Sequence, residues 1–162
     1  MAIYRVPGPC SVWFGTGSPK SLGVSKTGVN IRSRTSWSPI TDDAHGTEPA
    51  DFIYTGKAVQ VEVAALDVAL LKAAATWTAY GGLLGSTTNG LLAIGALASA
   101  LGQTLSIVER EASYTWTALK AVPLDPDILA LVATTEMQVP VTFLIVPDAN
   151  GKLFSTIPSY IL

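Results

Sequence analysis

Apolar and polar residues alternate along two long tracts of this chain, and each tract predicts a half-buried strand. In LGVSKTGVNIRSRTSW, from Leu22, one face carries Val29, Ile31, Ser33, Thr35 and Trp37, and the other Asn30, Arg32, Arg34 and Ser36. In DFIYTGKAVQVEVAAL, from Asp51, Val59, Val61 and Val63 share one face against Ala58, Gln60 and Glu62, with Gly56 at a bulge or bend. The second strand is expected to return beside the first. Between them, Ser38 to Ala50 (SPITDDAHGTEPA) has no apolar period and collects turn formers and acids, so it reads as a long polar loop.

Further strands are expected at Cys10 to Phe14, before a Gly15 to Ser21 turn, and in QTLSIVERE, SYTWTALKAVP and MQVPVTFLIVPD. The Asn150-Gly151 pair predicts a hairpin turn joining FLIVP to KLFSTI. DVALLKAAATW is rich in helix formers, and Asp67 can cap its start; its apolar face would carry Val68, Leu71 and Ala75, with Leu70 beside them. A helical turn or two is expected after Leu124, because Pro126 suits a first helical position. The pattern as a whole predicts a mainly β protein with one flanking α-helix, organised as a single domain over residues 1–162 with an extended loop at about 38–50.

Composition changes this picture in one respect. Charged residues make up 14% of the chain and hydrophobic ones 49%, against roughly 25% charged in ordinary soluble domains. Such a surface fits either a subunit covered by its neighbours or a membrane protein. The uncharged stretch from Ala73 to Val108 raises the membrane reading, but Gly81, Gly82, Gly85, Gly90, Gly95 and Gly102 interrupt it. Only Leu91 to Leu101 is continuously apolar or small, too short for a spanning helix, which needs about 20 residues. No membrane association is expected. The proline- and glycine-broken start at Pro7, Gly8 and Pro9 likewise predicts no secretion signal.

Candidate chemistry is sparse. A net charge of −2 gives no basic face for nucleic acid, and Arg32 and Arg34 alone do not make one. A single cysteine, Cys10, allows neither an internal disulfide nor a thiolate metal site. His45, the one histidine, lies among Asp42, Asp43, Glu48 and Asp51, yet the loop supplies no fixed ligand spacing. The GTGS run from Gly15 lacks the lysine spacing of a phosphate-binding loop and reads as a turn. No GxSxG elbow presents a serine. Trp37, Trp77, Tyr80, Tyr114 and Trp116 read as core or interface anchors. No enzymatic activity, metal or cofactor is expected.

The order of strand, polar loop, strand and helix over residues 20–75 resembles the N-terminal half of the tail tube proteins of tailed bacteriophages. The matching positions are Gly23, Ser25, Lys26, Gly28 and Val29 in the first turn, then Pro49, Asp51, Ile53 and Gly56 before the second strand. The uncharged stretch around 81–102 has no counterpart in that family, which keeps a tube initiator or distal tail protein as an alternative. The resemblance implies two packed β-sheets in a sandwich or barrel and hexameric rings stacked into a tube that conducts DNA during ejection. Such a protein resides in the virion tail after assembly in the host cytoplasm. Its partners would be further copies of itself, baseplate and terminator proteins, a sheath in contractile tails, and genomic DNA passing without sequence-specific contacts. It further implies that Gln60, Glu62, Asn30, Arg32 and Arg34 are candidates to line the lumen. The loop with Asp42, Asp43, His45, Glu48 and Asp51 would reach an adjacent subunit or ring.

Overall fold

The structure is a computed structural model and describes residues 2–44, 46, 48–66, 97–110, 114–124 and 139–158. Among them nine strands form one antiparallel sheet. In chain order they are β1 (Ala2–Val6), β2 (Cys10–Phe14), β3 (Lys20–Ser25), β4 (Val29–Ile40), β5 (Asp51–Leu66), β6 (Gln103–Glu109), β7 (Thr115–Pro123), β8 (Val139–Val146) and β9 (Phe154–Thr156). One short helix, α1 (Ala98–Leu101), precedes β6. The mainly β expectation holds. The helix expected from Asp67 and the helical turns after Leu124 fall outside the described residues.

The sheet order is β1-β4-β5-β8-β7-β6-β2-β3, with β9 also on β7. Its ends are tied by the chain itself: β1 runs into β2, and β3 runs into β4. These two bent segments pair with each other on both sides of the bend, Val6 with Val29 on one side and Cys10 with Ser25 on the other. At the corner the backbones nearly touch. A Cβ on Gly28 would collide with the Val6 carbonyl oxygen, and one on Gly8 with that of Lys26; Gly28 moreover sits at φ +93°. Glycine is what the crossing requires.

The two packed layers expected for a sandwich are therefore halves of one continuous sheet that folds over. Phe14 on β2 and Phe143 on β8 stack at 5.2 Å although β7 and β6 lie between their strands. In a flat sheet three strand spacings would hold those strands about 14 Å apart. A single core fills the fold, drawn from Val6, Cys10, Val12, Phe14 and Leu22 on one side and from Val59, Val61, Val63, Val141, Phe143 and Ile145 on the other. Val59, Val61 and Val63 point inward as their alternation predicts, since a period of two places every second side chain on one face. The bulge expected near Gly56 is present as a register shift opposite Ser36 and Trp37.

Three expectations need correction. The tract from Leu22 is not one strand: it divides into β3 and β4, broken at Lys26 to Gly28. The polar loop begins at residue 41, not 38, because Ser38, Pro39 and Ile40 continue β4 in register with Ile53, Phe52 and Asp51. Proline is tolerated there because this part of the hairpin is a two-stranded ribbon with open outer edges, where a missing N–H breaks no ladder bond. The Asp148 to Gly151 turn does not reverse the chain into a β8–β9 hairpin. β8 pairs with Lys120 to Pro123 and β9 with Thr117 and Ala118 along the same edge of β7. The turn is thus an excursion between two strands that run the same way. Asp148 closes it, its Oδ1 accepting from the Asn150 and Lys152 amides at 2.9 and 2.8 Å.

Candidate functional site

The feature that departs most from a self-contained domain is the outer part of the β4–β5 hairpin. Beyond Ser33 on β4, and before Val59 on β5, no third strand pairs with either among the described residues. Every residue from Arg34 to Ile40 is exposed, as is every residue from Asp51 to Thr55. Seven residues of extended chain project about 24 Å. This arm is not polar. Trp37 is 59% exposed, Phe52 54%, Ile53 55% and Tyr54 52%, with Ile40 also exposed. Trp37 and Tyr54 pack edge to face at 5.4 Å, which stiffens the ribbon without covering it. An isolated two-stranded ribbon is marginal in water, and its open edges and apolar faces invite pairing with another chain.

The arm ends in an acidic tip. Between Arg34 and Lys57 the only charged side chains are Asp42, Asp43, Glu48 and Asp51, with His45 as the one histidine. The four acids are exposed; His45 falls outside the described residues. Asp42 Oδ1 accepts from the Ala44 amide at 3.0 Å, and Asp51 Oδ1 from the Phe52 amide at 2.7 Å, so both carboxylates order the backbone of the tip.

At the root of the arm, on the core side of the sheet, lies a cavity of about 290 Å³. Its walls are mostly apolar, with Tyr4, Val59, Trp116, Leu153, Phe154 and Ile157 the main contributors, and its rim carries Lys57 and Lys152. Trp116 and Phe154 meet edge to face at 6.0 Å in its floor. Among the described residues neither lysine has a carboxylate partner. Sequence reasoning missed this cavity, since β9 and its approach join it through the unexpected return to β7.

The five residues expected to line a lumen do share one face. Asn30 pairs with Glu62, Arg32 with Gln60 and Arg34 with Ala58 on the side of β4 and β5 opposite the core. Arg32 Nη2 lies 2.7 Å from Glu62 Oε2, with both side chains partly exposed, so the pair orients more than it stabilises, at roughly 0–1 kcal/mol. Arg5 is on the same face across β1 and donates to the Thr27 carbonyl at 3.3 Å. Three arginines against one glutamate leave this face net positive.

Other candidates resolve into structure. The Gly15 to Ser18 turn spends its amides at home: Gly15 N–H donates to the Thr104 carbonyl at 2.9 Å and Thr16 N–H to Gln103 Oε1 at 3.0 Å. Trp116 is core, Trp37 lies on the exposed arm, and Tyr114 is 40% exposed; Trp77 and Tyr80 fall outside the described residues. Cys10 is fully buried and its Sγ donates to the Pro7 carbonyl at 2.9 Å. Burial, and then the neighbouring Glu109 carboxylate, push this thiol up to about 11, so it is protonated and inert at neutral pH. Among the described residues no three potential metal ligands cluster, and no helix is long and apolar enough to cross a membrane.

No family model matches the sequence, and no curated protein does. Among solved structures, the chain is similar to one in the cryo-EM structure of the anti-feeding prophage (AFP) baseplate, 6-fold symmetrised. Identity is 15%, the TM-score is 0.38, and the alignment covers 89% of this chain and 91% of that one. A likeness at that TM-score carries no argument about fold or function.

Proposed function

We propose that the chain is a structural subunit, without enzymatic activity, that assembles with copies of itself into the rings of a phage tail tube. One observation carries the self-assembly: a long two-stranded arm whose aromatic and aliphatic side chains face water on both sides. A monomer gains nothing from exposing Trp37, Phe52, Ile53 and Tyr54, whereas burying such side chains stabilises by about 1.5–3 kcal/mol each. The low charge of the whole chain points the same way.

The tail tube part of the reading rests on the short motifs from Gly23 to Val29 and Pro49 to Gly56. In that setting the DNA-facing wall would be the outer face of β4 and β5. The Arg32–Glu62 pair then has a purpose, because a neutralised arginine holds a passing polyanion less strongly than a free one. A second reading, a ring protein at the tube's end or in the baseplate, is favoured by the uncharged 81–102 stretch that tube proteins lack.

Negative-stain electron microscopy of the purified protein tests the proposal. Stacked rings or tubes are expected of a tube subunit, and single rings of the second reading. Removing Asp42 to Glu48 should leave the fold intact and stop growth beyond one ring; normal tubes from that deletion would remove the tip from the account.

A further inference from the structure

We infer that the lysine-rimmed cavity is the receptor for the arm of a second copy of this chain, with Phe52 seated in the cavity and Asp51 meeting Lys152. This rests on the self-assembly reading and names the surface through which it would occur. Three observations single out the occupant. The first is chemical complementarity: the arm offers apolar side chains beside four carboxylates, and the cavity offers an apolar floor beside two ammonium groups that have no carboxylate partner among the described residues. Carboxylate and ammonium groups brought together at the rim of an apolar contact set its register and speed encounter.

The second observation is size. A cavity of about 150 Å³ holds one benzene, so 290 Å³ accommodates about two such groups, a phenyl ring and a neighbouring aliphatic side chain. Phe52 and Ile53 match that volume better than an extended ligand would. The third is reach. Ser33 and Lys57 line the cavity at the arm's root, while Asp51 and Phe52 stand at its far end, six and five residues further along β5. At about 3.4 Å per residue that separation approaches 20 Å along a continuous strand, so the arm cannot enter its own cavity without unzipping. An arm seated in the cavity therefore comes from another molecule.

Because donor and receptor are different surfaces of one chain, the contact is head to tail. Where it runs one way it propagates into a ring or a filament; reciprocal exchange of arms about a two-fold axis would instead close it at a dimer.

The test mixes two full-length variants, Asp51→Cys and a mass-tagged Lys152→Cys, under mild oxidation, with Cys10 buried and unreactive in both. A disulfide between the two different variants, absent from either alone, is expected. In parallel, Lys152→Glu should raise the concentration needed for assembly by about threefold to tenfold, and Asp51→Lys in the same chain should restore it. Wild-type protein that assembles while the mixture gives no hetero-disulfide and charge reversal has no effect would overturn this contact but leave self-assembly standing. A 51–152 disulfide formed only within a doubly substituted chain would also overturn it. Wild-type protein that stays monomeric at every concentration would overturn both.

Discussion

Phe14 and Phe143 stack across the core from strands that are not neighbours in the sheet, and this contact marks where the sheet closes on itself. Both rings are almost completely buried. Phe143→Ala should therefore lower unfolding free energy by about 3–5 kcal/mol, combining lost transfer energy with a cavity that the surrounding strands cannot collapse into. Phe143→Leu should cost less than half of that. Urea denaturation monitored by tryptophan fluorescence measures both, and equal effects from the two variants would mean that the ring contact does not organise the core.

The corner where β1–β2 crosses β3–β4 makes a different demand. Gly28→Ala places a methyl group against the Val6 carbonyl in a left-handed backbone conformation, so both backbones must move. A loss of at least ~2 kcal/mol is expected. Gly151→Ala, also at positive φ but with open space around it, should cost only the conformational strain of about 1 kcal/mol. Thermal melts of the two variants should separate clearly in that order.

Cys10 gives a pH-dependent signature. Its folded pKa of about 11 lies above the unfolded value of 9.0, so below pH 9 both states hold the proton and the thiol contributes no slope. Between pH 9 and 11 the unfolded state sheds its proton first, and stability falls as pH rises. The stability difference between wild type and Cys10→Ala should be flat to pH 9 and then shrink. At pH 8 a thiol reagent should label Cys10 only in denaturant; rapid labelling of the native protein would show that the thiol is not sealed beneath the corner.

Periodicity made much of this fold legible. Val29, Ile31, Val59, Val61 and Val63 sit where alternation puts them, and the strands around Leu105, Trp116 and Phe143 were equally plain because each is bounded by turn residues. β1 was not legible: four of its five residues are exposed, and an edge strand over open space carries no alternating signal. The arm was half visible. Pro39 and the acids of the tip suggested a loop, and the consecutive apolar run Phe52-Ile53-Tyr54, which puts apolar side chains on both faces of a strand, was not read as a surface needing cover. The cavity depends on β9 passing to the edge of β7, a tertiary pairing that the local signal at Asn150-Gly151 actively misdirects, since that dipeptide ordinarily closes a hairpin.

Sedimentation velocity over a hundredfold concentration range shows whether the arm drives assembly. Wild type is compared with the Trp37→Ser, Phe52→Ser, Ile53→Ser triple variant, whose fold is checked by circular dichroism. Oligomers whose share grows with concentration are expected in the wild type, and a folded monomer throughout for the variant. Identical sedimentation of the two folded proteins, whether both assembled or both monomeric, would contradict assembly through the arm.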